Sequence, residues 1–210
     1  KLFVMALRVR KQFLYENRKN VKAAIIVWDQ QEKYLDRKHV IEAAWNWINM
    51  TIPVISSTFA SFSRMCKNLG AETLGHLFID EAGQALPQAA VGAIYRSRHV
   101  MVVGDPLQIK PVLTLDSNTL YMLGEHFGVT EKYLSASASA QILADAASQY
   151  GFYRKQDKAE DSWVGIPLWV HRRCRYPMFT ISNMISYDGF MVQGMEKYGK
   201  ADWFDVGGMA

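Results

Sequence analysis

Two short apolar runs constrain this chain most: LFID at residues 77–80 and HVMVVG at residues 99–104. Each is continuously apolar without alternation, the pattern of a strand covered on both faces in a parallel sheet. Between them ALPQAAVGAIYRS reads as one helix, about the length that a crossover between parallel strands needs. Both runs also end in acids. Asp80 and Glu81 close the first, and Asp105 follows the second in VVGDPLQ. Ligands of an open parallel sheet bind beyond the carboxyl ends of its strands, so these three acids are expected at one edge.

Composition supports a packed α/β core. Half of the 210 residues are hydrophobic, aromatics are plentiful, and charged residues stand at ordinary frequency. No apolar run approaches a membrane span, and nothing resembles a cleavable signal. The two cysteines, Cys66 and Cys174, lie far apart and outside metal-ligand spacing, which excludes a disulfide scaffold or structural zinc and fits a reducing, cytoplasmic compartment. Charge is unevenly placed: residues 1–40 hold ten Lys/Arg against four Asp/Glu, whereas the rest hold 14 against 16. A basic segment could follow a phosphate backbone, although on charge alone a solvated helix face is the better reading.

Along the chain, residues 1–18 and HVIEAAWNWINM show helical spacing, giving a basic helical segment over residues 1–50. PVISST reads as a short strand entering a Ser/Thr turn, and SFSRMCKNLG as a short helix ending at Gly70. Residues 117–149 read as mostly helical. KQDKAEDS, the most polar stretch, is the expected linker, before a strand at IPLWVH and a helix through PMFTISNMISY. Trp45, Trp47, Trp163 and Trp169 could stack on bases, but such Trp residues are usually core. Met178, Phe179, Ile181 and Ile185 are expected in the core, and the SASASA run in a flexible connection or helix start.

A lone Asp-Glu pair after a strand is ordinarily a solvated turn. Its occurrence with V-G-D-P-L-Q-I-K-P-V at crossover spacing changes the balance, because nucleotide hydrolysis needs one carboxylate on magnesium and another group to orient the attacking water. LFIDEAGQA resembles motif II, and VVGDPLQIKPV motif III, of superfamily 1 DNA/RNA helicases of the Upf-like group. LWVHRRCRYPMFTISNMISY looks like that group's motif IV, and PVISSTFAS like its backbone-contacting Ser/Thr loop. The resemblance covers residues 51–192; the N-terminal fifty residues match no motif, although helices inserted there are common in the group.

The resemblance implies a RecA-like P-loop NTPase core: part of a first RecA-like domain at residues 51–154, and the beginning of a second at residues 163–210. It implies ATP and Mg2+ as cofactors, DNA or RNA as partner in the form of a single-stranded track, and hydrolysis coupled to translocation or unwinding. By the same resemblance Asp80 would hold magnesium and Glu81 would be the general base. Gln84 would line the nucleotide cleft, and Asp105 and Gln108 would sense the γ-phosphate. Arg173 would reach that phosphate from the second domain, with Arg172 a competitor because the spacing to the proline departs by one residue from many members. Ser57 and Thr58 would contact nucleic-acid backbone. Two rivals stand beside this: a non-hydrolysing, nucleotide-gated scaffold, and a metal-dependent nuclease using Asp80, Glu81 and Asp105.

Such a hydrolase also needs a Gly-rich loop ending in Lys and Ser/Thr. GMEKYGKA, residues 194–201, is a near match but ends in Ala201, lacks a buried strand leading into it, and follows motif IV. It reads as a surface turn. The P-loop is therefore expected upstream of Lys1 and the late motifs beyond Ala210, with the isolated chain inactive.

Overall fold

The structure, a computed structural model, describes residues 1–105, 109–113, 115–130, 133–134, 138–154 and 162–195. It forms two compact units, residues 1–141 and 142–210. The division precedes the polar stretch expected as the linker and places the basic helices in the same unit as the acid-bearing strands.

In the first unit the chain opens with α1 (Leu2–Glu16), α2 (Arg18–Asp29) and α3 (Lys38–Thr51). Arg10 explains part of the basic surplus. Its guanidinium donates to Met50 O at 2.7 Å and Asn49 O at 3.1 Å. These are carbonyls of the last turn of α3, where a cation complements the helix dipole. Phe13 stacks on Trp47 with centroids 6.0 Å apart, and Trp45 is buried. Both tryptophans therefore serve packing.

β1 (Leu74–Ile79) and β2 (Ser97–Val102) pair in parallel, with Leu74 opposite Ser97 and Ile79 opposite Val102. They are joined through α5 (Pro87–Tyr95), which has its proline in the first turn, where the missing N–H costs no bond. The expected β-α-β unit is present. Each end of β1 anchors its own core. Leu74 packs with Ile41, Trp45, Cys66 and Leu69; Ile79 packs with Ala82, Ala85, Ala90 and Ala140. Burial pushes the Cys66 thiol up to about 11, partly opposed by the Arg96 charge. Arg96 also donates to Cys66 O and Leu69 O.

Three expectations are corrected here. The strands are not covered on both faces: Phe78 is 68 % and Met101 57 % exposed. Among the described residues the sheet has only these two strands, so each lacks a neighbour on its outer flank. PVISST forms no strand, because no described strand pairs with it, and Val54 is exposed. The helix that follows, α4 (Phe59–Met65), stops before Gly70. Farther on, α6 (Ser117–Phe127) is capped by Asp116, which accepts from Asn118 N and Thr119 N. The Thr119 hydroxyl, first, and those amides hold the Asp116 carboxyl below its usual range.

The second unit holds most of α7 (Ala140–Ala147), whose first two residues belong to the first unit. An antiparallel hairpin follows, β3 (Phe152–Arg154) with β4 (Ser162–Val164). β5 (Val170–His171) and β6 (Val192–Gln193) then pair in parallel around α8 (Met178–Ser186). The strand and helix expected at IPLWVH and PMFTISNMISY are present, the strand reduced to two residues. Of the four apolar residues assigned to the core of α8, only Phe179 is buried; Met178, Ile181 and Ile185 face out. Asn183 instead fixes the return of the chain, donating to Met191 O and accepting from Met191 N, each at 2.9 Å.

Candidate active site

Asp80 directly follows β1, so the strand itself carries it to the sheet edge. Its Oδ1 accepts from Glu81 N at 3.0 Å. Glu81 adopts a left-handed backbone, φ 53° and ψ 39°, which costs a non-glycine residue on the order of 1–2 kcal/mol. This reversal tips the chain out of the strand direction into a single 3-10 turn, Ala82–Gln84. Ala82 and Gly83 are buried there, while Asp80, Glu81 and Gln84 are exposed. Backbone strain of this kind concentrates at functional sites, because a surrounding structure must hold it in place.

The surrounding structure here is the loop after β2. Ala82 N donates to Val103 O at 3.0 Å, and Val103 N to Ile79 O at 2.8 Å. The two loops then come closer than side chains permit. A Cβ on Gly83 would stand 2.5 Å from Asp105 O, and one on Gly104 would stand 2.6 Å from Gly83 N and 2.7 Å from Ala82 N. Glycine is required at both positions because backbone meets backbone. Asp105, half-buried, is thereby held at the same edge as Asp80 and Glu81. Gln108 lies outside the described residues.

A third strap was missed from the sequence. Ala138, Ser139 and Ala140 are buried, and Ala140 N donates to Ala85 O at 2.8 Å. This part of the SASASA run is a packed brace on the Asp80–Ala85 loop and the start of α7; residues 135–137 lie outside the described residues. Its alternating small residues were the available signal, since only small side chains fit beneath a loop this closely packed.

Ser57 and Thr58 sit just before α4, both exposed. Thr58 Oγ1 accepts from Ser61 N at 3.3 Å and caps the helix, and Ser57 Oγ donates to Thr58 O at 3.0 Å. Phe59, the next residue, packs on the cluster beneath the acidic loop. In the second unit, Arg172 and Arg173 are exposed on the turn after β5. Gly194, first residue of GMEKYGKA, has a packing reason: a Cβ there would stand 2.5 Å from Val170 Cγ1 and 3.0 Å from Arg172 Cγ. A strand does lead into that segment, namely β6, but it is two residues long and Val192 is exposed. Residues 196–201 lie outside the described residues.

A family model described as an AAA domain matches residues 5–115, just over half of the chain. The chain belongs to this family of helicase-like P-loop ATPases. No curated protein and no solved structure matches. The match takes in nearly all of the N-terminal helical segment, so those helices are part of the family domain. It also takes in Asp80, Glu81, Gln84 and Asp105. Membership implies a bound nucleotide and magnesium, and the donors present fit that pair. Magnesium is typically held by one or two carboxylates together with substrate phosphates and water. Asp80 and Asp105 offer such oxygens. Among the described residues no group of three or more His, Cys, Asp or Glu could enclose an ion by itself. A cation at this edge would thus depend on ligand oxygens. No helix of the described residues is long and apolar enough to cross a membrane.

Proposed function

We propose that this protein hydrolyses ATP and couples hydrolysis to movement along, or unwinding of, DNA or RNA. The observation that carries the reading is the delivery of Asp80–Glu81 and Asp105 to one sheet edge by adjacent parallel strands, with the loops locked through Ala82 and Val103. In this reading the first unit is part of a RecA-like P-loop core, and residues 163–210 begin a second RecA-like domain.

Asp80 would hold magnesium, directly or through water, and the ion would screen the phosphate charge. Glu81, exposed beside it, orients the attacking water and accepts its proton. Gln84 lines the nucleotide cleft. Asp105 links the far side of that cleft to the loop after β2, so that loss of the γ-phosphate changes what this loop can bind. Arg173 neutralises developing charge on the transferred phosphoryl group, as a cationic finger does. One feature separates it from Arg172: the stem of Arg172 lies against Gly194, where an added Cβ would stand 3.0 Å from Arg172 Cγ. The Ser57–Thr58 hydroxyls, both exposed, would meet the backbone of a single-stranded track.

Asp80→Asn in the full-length protein tests this reading. Magnesium-dependent ATP hydrolysis should be lost while the fold, followed by circular dichroism, is kept. Nucleic-acid cleavage without ATP, abolished by the same substitution, would transfer the acids to a nuclease.

A further inference from the structure

The turn carrying the two arginines is built around a side chain. After β5 the chain runs His171, Arg172, Arg173, Cys174, and His171 Nε2 accepts from Cys174 N at 2.8 Å. A side-chain acceptor on the N–H three residues ahead is the geometry of a helix N-cap, used here to close a turn. The ring is itself fixed. It lies 5.5 Å from the Phe179 ring at 38°, and Phe179 is buried. The backbone of His171 is held as well, its carbonyl accepting from Gly194 N at 2.8 Å.

From these contacts we infer that His171 is a positioning residue for Arg173. The imidazole fixes the backbone on both sides of the arginine pair. Gly194 leaves room for the stem of Arg172, while Arg173, also exposed, stands inside the turn that the imidazole closes. An exposed arginine on an unconstrained turn would lose orientational entropy each time it met a phosphate. On a closed turn much of that ordering is already present before the ligand arrives. This inference rests on the proposal that Arg173 meets the phosphoryl group.

The test uses four variants of the full-length protein: His171→Ala, His171→Phe, His171→Gln and Arg173→Ala. His171→Phe keeps a ring against Phe179 but removes the acceptor, and His171→Gln supplies an acceptor without the ring. Nucleic-acid-stimulated ATPase is measured as kcat and KM, together with hydrogen exchange of the Cys174 amide. Misplacing a catalytic group by about an ångström costs roughly a hundredfold. His171→Phe should therefore lower kcat roughly ten- to a hundredfold with KM for ATP nearly unchanged, and should speed Cys174 exchange. His171→Gln should recover most of the rate. If His171→Ala does not fold, the Phe and Gln variants decide. Normal kcat in His171→Phe beside an inactive Arg173→Ala would overturn the positioning role alone. Normal activity in Arg173→Ala would remove the finger, and this inference with it.

Discussion

Gly104→Ala is the sharpest structural perturbation of the acidic edge. The added methyl would stand 2.6 Å from Gly83 N and 2.7 Å from Ala82 N, both main-chain atoms, so no side-chain rotation can relieve the clash. The two loops must part, and the bond most exposed to that movement is Ala82 N to Val103 O, 3.0 Å long. Overpacking of this kind costs about 1–3 kcal/mol, and a lost backbone hydrogen bond about 1 kcal/mol. The expected destabilisation is therefore about 2–4 kcal/mol. Gly75→Ala is the matched control. Gly75 lies within β1 with nothing within 4 Å of the new methyl. Alanine for a strand glycine should stabilise by roughly 0.5–1 kcal/mol. Urea unfolding of the two variants beside the parent reads both effects. Equal midpoints for Gly104→Ala and Gly75→Ala would refute the loop-on-loop contact as the reason for glycine.

Arg173→Ala should nearly abolish nucleic-acid-stimulated ATPase, since arginine fingers contribute roughly a thousandfold, and Arg172→Ala should be milder; a dead Arg172→Ala with a healthy Arg173→Ala would move the role by one residue. Cys66 gives a pH signature. Its folded thiol is pushed up to about 11 from an ordinary 9.0, so stability is unaffected below pH 9 and falls between 9 and 11, where only the unfolded thiol ionises. Urea midpoints across that range should fall more in the parent than in Cys66→Ala, and parallel curves would contradict it.

The β1-α5-β2 unit was legible in the sequence because its signals are local: two unbroken apolar runs and a helix of crossover length. Their exposure was not legible, since apolar composition records what a face can bury and not what covers it. PVISST has strand-forming residues, but a strand exists only by pairing, and the hydroxyl of Thr58 is engaged in capping α4. Asp80, Glu81 and Asp105 could be placed at one edge from strand direction alone. The glycines that lock that edge, Gly83 and Gly104, are 21 residues apart and meet only through the fold. The same holds for Ala140 on Ala85 and for the closure of the arginine turn by His171. In each case the residue is unremarkable in sequence and acquires its role from a contact made at a distance or through a side chain.

The hydrolytic role of the acidic pair is tested most directly by Glu81→Gln in the full-length protein, with single-turnover ATP hydrolysis measured beside nucleotide affinity. The substitution keeps the shape of the side chain and removes its basicity. Hydrolysis should fall on the order of a hundredfold or more while affinity is unchanged, the loss characteristic of a positioned base. A drop in affinity in step with rate would make Glu81 a binding or structural residue, and an unchanged rate would remove it from the chemistry.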